Sequence, residues 1–176
     1  MKQQSEKMNN IVRYDNFFSP KDFMLILEKL NQPKWEYGHG SYRPGHPKRN
    51  IPFWMMHLGD DSFFTEYLLN IIEEKTNQKY ELTALYCNGH PFGTSGTFHK
   101  DYGNDQGRTF LLYANDSWEQ EWDGKTVFEI GDTYHYSEFV PNSAIIFPGN
   151  ILHRAEGTSR SFTGLRKTVA WKLVLK

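Results

Sequence analysis

The sequence predicts an α+β, mainly β protein: a jelly roll of two facing antiparallel sheets with N-terminal helices packed on one sheet. Three observations carry this. Two segments before residue 77 repeat apolar residues at helical spacing. Eight short strand patterns follow residue 80. The breaks between them hold turn residues, among them Asn88-Gly89, Asp123-Gly124 and Pro148-Gly149.

The opening MKQQSEKMNN lacks the apolar stretch of a signal peptide and reads as a mobile tail over residues 1–10. The remainder, 11–176, reads as one domain, since no internal repeat or linker divides it. Ser19-Pro20-Lys21-Asp22 is a helix start, with Ser as N-cap and Pro at the first helical position. Phe23, Ile26, Leu27 and Leu30 follow as its apolar stripe, and Asn31-Gln32-Pro33 ends it. Residues 34–58 show no sustained period and read as loops and short strands. Part of this stretch, Trp35–Trp54 with Tyr37, His39, Tyr42 and Arg43, reads equally as a lid or as a loop packed on the barrel. A second helix is expected from about Asp61 to about Thr76, with Phe64, Leu68 and Ile71 as its stripe. Strands are then expected at 81–87, 96–101, 109–114, 126–130, 134–139, 144–147, 152–156 and 166–175.

Composition narrows the function. A formal net charge of −1 implies no general attraction to nucleic acid or to anionic membranes. No segment is long and apolar enough to span a bilayer. The one cysteine, Cys87, rules out a disulfide scaffold and a Cys-based zinc site, and reads as a half-buried strand residue. A soluble cytoplasmic protein is the expectation.

The stretch FHKDYG holds His99 and Asp101 two residues apart. On a strand both project to one face, with Lys100 on the other. Alone, the pair reads first as two polar side chains hydrogen-bonded at the surface. His153, in IIFPGNILHRAEG, follows a buried-looking strand and a tight turn. A jelly roll brings such distant strands together. Two His and one carboxylate on one side of a metal suit non-haem Fe(II) oxygenases, and equally zinc hydrolases. Arg166, on the final strand, can reach into the barrel mouth, where a buried guanidinium needs an anion. Arg160 is its rival, and a surface salt bridge is the plain alternative.

These residues resemble the 2-oxoglutarate- and Fe(II)-dependent oxygenase superfamily, in its prolyl-4-hydroxylase-like branch. The resemblance rests on His99-Lys100-Asp101, His153 and Gly164-Leu165-Arg166. Two flanking stretches add to it: LTALYCNG with Tyr86, and FLLYANDSW with Tyr113, Asn115 and Trp118. It covers about residues 80–175. Where the family has Gly-Gly after the Trp, this chain has Trp122-Asp123-Gly124, and the gap from His153 to Arg166 is longer than is common. The resemblance implies the double-stranded β-helix form of the jelly roll. It implies Fe(II) held by His99, Asp101 and His153, and 2-oxoglutarate anchored by Arg166 with hydrogen bonds from Tyr113 and Tyr86. It implies an O2-dependent hydroxylation of an aliphatic C–H that releases succinate and CO2. Peptidyl proline is the expected substrate, in a peptide or protein. A small-molecule hydroxylase and a non-catalytic metal-binding jelly roll are the alternatives. Trp171 alternates away from Arg166 and reads as packing, Arg154 alternates away from His153, and His57, His90 and His135 have no assigned place.

Overall fold

The structure, a computed structural model, describes residues 10–41 and 51–176. The expected tail, except for Asn10, and Tyr42 and Arg43 of the expected lid lie outside these residues. The described strands are β1 (Val12–Tyr14), β2 (Glu36–His39), β3 (Phe53–His57), β4 (Tyr80–His90), β5 (Gly107–Tyr113), β6 (Thr126–Ile130), β7 (Thr133–Ser137), β8 (Ala144–Pro148), β9 (Leu152–Ala155) and β10 (Arg166–Leu175). They form two antiparallel sheets. The larger runs β1-β8-β5-β10-β4-β3-β2, the smaller β7-β6-β9.

Helix α1 (Pro20–Leu30) begins as its sequence signals, with the Asp22 amide donating to Ser19 Oγ at 3.1 Å. The expected second helix is in two parts. A π-helical turn, Phe63–Leu68, runs into α2 (Leu69–Thr76), which stops at Asn77 in the left-handed conformation, φ 51°. The wide turn coincides with competing donors. Thr65 Oγ1 donates back to the Asp61 carbonyl at 3.2 Å, and Trp171 Nε1 donates to the Phe64 carbonyl at 3.1 Å.

Strand alternation on β10 sorts its side chains into two environments. Val169, Trp171 and Leu173 join a buried cluster that also holds Ile26, Leu30, Phe64, Leu68 and Ile72 from the helical segments. Trp171 is fully buried, as expected for packing. Arg166, Thr168, Ala170 and Lys172 take the opposite face and line a cavity. A second apolar cluster joins the sheets, with Leu111 and Tyr113 of β5 and Ile145 and Phe147 of β8 meeting Phe128 of β6.

Two expectations are corrected. Residues 96–101 are not a continuous strand; they meet β9 through an isolated antiparallel bridge, His99 to His153, and through the Gly96 amide, which donates to the Ala155 carbonyl at 2.9 Å. The amides of Asp101 and Tyr102 both donate to the Gly149 carbonyl, at 2.8 and 3.0 Å, which curls the chain away after His99. The short strands expected within 34–58 are present: Tyr37 and His39 lie on β2 and Trp54 on β3, which pair with each other and extend the larger sheet beside β4. Cys87 is wholly rather than half buried, and burial pushes its thiol pKa up.

Candidate metal centre

His99 and His153 are clasped backbone to backbone. Each amide donates to the other's carbonyl at 3.0 Å, and the ring centroids lie 4.4 Å apart. Asp101 reaches the same point because its amide is tied to Gly149, in the turn after β8. Glycine is required there: a Cβ at position 149 would collide with the Tyr102 ring. One donor atom from each of His99, Asp101 and His153 lies within 4.8 Å of the others.

Hydrogen bonds at the back of each ring set its chemistry. His99 Nδ1 meets the Thr97 carbonyl at 2.8 Å, and His153 Nδ1 meets the Ile151 carbonyl at 2.9 Å. A carbonyl only accepts, so each Nδ1 carries a proton, which leaves Nε2 as the ligand atom of each ring. Those atoms face the carboxylate. His99 Nε2 is 3.4 Å from Asp101 Oδ1, and His153 Nε2 is 3.3 Å from Oδ2. Thr109 Oγ1 and Lys172 Nζ both donate to Oδ2. Burial pushes the Asp101 carboxyl up, but the Lys172 ammonium and the His153 ring outweigh it, and the group lies well below the usual carboxylate range. Burial lowers the His153 pKa against the pull of Asp101, which favours the neutral imidazole a metal needs.

The triad opens on a cavity of about 290 Å³. Arg166 lines it and is 1% exposed. Its Nε donates to the Gly124 carbonyl at 2.6 Å, and Nη2 to Thr126 Oγ1 at 3.3 Å. The rings of Phe139 and Tyr113 lie 5.4 and 5.9 Å from the guanidinium. Among the described residues no carboxylate pairs with it. Burial brings its pKa down to about 10, so it remains a cation at neutral pH. Arg160 is exposed and takes no part in the cavity wall.

The two expected tyrosines differ. Tyr86 lines the cavity. Tyr113 is fully buried and off the cavity wall, its hydroxyl 2.9 Å from Thr126 Oγ1 and 3.1 Å from the Ser137 carbonyl. It reaches Arg166 through Thr126. Arg154, expected to turn away, stands beneath the Phe98 ring at 5.1 Å and contributes to the cavity rim.

Sequence reasoning passed over Lys172, Thr109 and Thr126. The signal for Lys172 was available: it follows Arg166 by an even number of residues on one strand, hence on the same face. His90, which the sequence allowed near the barrel mouth, does line the cavity. It lies opposite Arg166 in the β4–β10 ladder and is 2% exposed, with neither ring nitrogen hydrogen-bonded. Burial, with Arg166 next, lowers its pKa to about 3.

No protein-family model matches the chain. No curated protein matches it either. Solved structures do. A prolyl hydroxylase from Trichoplax adhaerens, in complex with a hypoxia-inducible factor peptide fragment, superposes with a TM-score of 0.71 at 14% identity, covering 98% of this chain and 89% of that one. A 2OG-Fe(II) oxygenase family oxidoreductase from Burkholderia pseudomallei gives 0.73 at 9% identity, covering 98% and 90%. A prolyl-4-hydroxylase from Pseudomonas putida gives 0.63 at 14%, covering 95% and 93%. The fold is therefore the mainly β jelly roll that these proteins share.

Proposed function

We propose that this chain is a 2-oxoglutarate- and Fe(II)-dependent dioxygenase that hydroxylates an aliphatic C–H, with a peptidyl proline as substrate and succinate and CO2 as co-products. The observation that carries the reading is Arg166. It is a buried cation without a carboxylate partner among the described residues, in the wall of the cavity that the triad opens on. A metal-binding module without redox chemistry has no use for such an anion anchor, because an unpaired buried guanidinium is costly. A dicarboxylate that meets the metal at one end and Arg166 at the other pairs it.

His99, Asp101 and His153 would hold the iron through two imidazole Nε2 atoms and a carboxylate. Bound there, Fe(II) with 2-oxoglutarate and O2 supplies the oxidising power for C–H hydroxylation. The protein's own part is positional. Arg166 pairs with the distal carboxylate, steadied by the Gly124 carbonyl and Thr126. Tyr113 orders Thr126, and Tyr86 offers a hydroxyl from the wall. The peptide reading draws support from the hypoxia-inducible factor fragment bound to the Trichoplax adhaerens neighbour. We read residues 11–176 as one domain, with the helices forming a layer on the larger sheet.

The test is anaerobic. Fe(II) and 2-oxoglutarate added to the protein are expected to give the weak visible charge-transfer band of an iron–keto-acid chelate. His99→Ala abolishes it, and Arg166→Ala moves it to much higher 2-oxoglutarate concentration. Iron bound without a band would overturn the reading in favour of a metal-binding module. Proline-containing peptides are then screened for 2-oxoglutarate-dependent oxygen uptake.

A further inference from the structure

We infer that Lys172 is a positioning residue, the resident counter-ion of the metal site. It neutralises and holds Asp101 before any metal arrives, and it tempers metal affinity by the charge it keeps there. The inference rests on the reading that His99, Asp101 and His153 hold a divalent ion, and needs nothing of the oxygenase chemistry.

Asp101 is a buried carboxylate, its side chain 6% exposed. Such a charge is expensive unless paired. Each histidine facing it spends its Nδ1 proton on a backbone carbonyl, and Lys172 brings a full positive charge. Its side chain is 11% exposed, and it is the only lysine or arginine in contact with Asp101 among the described residues. Thr109 Oγ1, 3.4 Å away, and the Tyr86 ring, 5.7 Å away, pack around the ammonium.

The contact also selects between the two carboxylate oxygens. Lys172 and Thr109 both donate to Oδ2. Oδ1 has only the edge of His99, at 3.4 Å. The carboxylate is thereby held with Oδ2 engaged and Oδ1 offered beside the His99 ring. A metal that takes Oδ1 still enters close to a fixed ammonium, and like charges repel strongly where water is scarce. The same cation therefore has two opposed effects. It stabilises the metal-free site and weakens metal binding.

Those effects are coupled by linkage, because a ligand stabilises the fold according to its affinity. The experiment uses Mn(II) as probe on the full chain. Free Mn(II) is counted by its EPR signal, and thermal unfolding is followed with and without the ion. Lys172→Met is expected to melt lower than wild type when metal-free. It is also expected to bind Mn(II) about tenfold tighter or more, and so to gain a larger rise in Tm from the ion. Lys172→Arg, which keeps the charge, stays near wild type. Lys172→Gln serves by the same criteria if the Met variant does not fold; folding only in the presence of Mn(II) is the expected result in its extreme form. General damage to the structure does not tighten metal binding, so the sign separates positioning from mere support. Unchanged or weaker Mn(II) affinity in the uncharged variants overturns the inference alone. A wild type that binds no Mn(II) overturns the metal reading and the inference with it.

Discussion

The amides of His99 and His153 each donate to the other residue's carbonyl, so the two imidazoles are paired by backbone before any side chain is considered. The clasp does not depend on ring chemistry. His99→Ala should therefore keep the fold, with far-UV circular dichroism and Tm close to wild type. It should still lose Mn(II) affinity by more than the roughly 10–100-fold that outer-shell partners carry. A parallel collapse of Tm would show that the ring, not the backbone, joins these segments.

Arg166 and Arg160 make a clean comparison. One is buried on the cavity wall and the other is exposed. Arg166→Ala should weaken 2-oxoglutarate binding on the order of 100-fold, as expected for breaking a buried charge pair. Arg160→Ala should leave it unchanged. Titration of the charge-transfer band measures both, and equal effects would remove Arg166 as the anchor.

Gly124 sits at φ +76°, and its carbonyl receives Arg166 Nε. A Cβ there would lie 2.9 Å from Trp118 Cζ2 and 3.2 Å from Arg166 Cδ. Gly124→Ala should destabilise the protein by about 1–3 kcal/mol from backbone strain and crowding. It should also raise the 2-oxoglutarate concentration needed for the band. Urea unfolding gives the first quantity; a midpoint unchanged from wild type would argue against the strain.

His90 gives a pH signature. Its folded pKa of about 3 lies below the ordinary 6.5, because burial, and after it Arg166, His39 and His99, disfavour the imidazolium. The unfolded chain therefore takes up this proton first as pH falls. The neutral ring's contribution is intact above about pH 6.5 and is lost progressively as pH falls towards 3. His90→Phe should lose less stability than wild type between pH 7 and pH 4.5, measured by urea unfolding. Parallel losses would mean that His90 is protonated in the fold.

Much of this was legible because it was periodic. Strand β10 spans the residues its alternation predicts, and α1 starts at its Ser-Pro cap. The triad was readable because two histidines and an aspartate fall beside turns that a jelly roll superposes. Other features depend on partners far away in sequence. Residues 96–101 look like a strand, but the Gly149 carbonyl captures two successive amides and bends them out of the ladder. β1 is three residues long and owes its existence to β8. The π-helical turn falls where Trp171 donates to Phe64, 107 residues apart. Tyr113 carries a family pattern, yet its hydroxyl is engaged by Thr126 and Ser137, which no local pattern foretells.

Strand β10 works as a ruler. Its cavity face carries Arg166 at one end and Lys172 at the other, roughly 20 Å apart at the backbone for six extended steps. A register irregularity falls immediately after Lys172, so the graduated part stops there. A single inserted or deleted residue between the two would turn one of the cations out of the cavity and into the apolar cluster that holds Trp171. Only changes in steps of two keep both inside, and each moves the marks by nearly 7 Å, about the span of a small dicarboxylate. Variation in ligand length would then have to come from the loops around the strand, leaving the spacing between these two charges as the part of the pocket least free to drift.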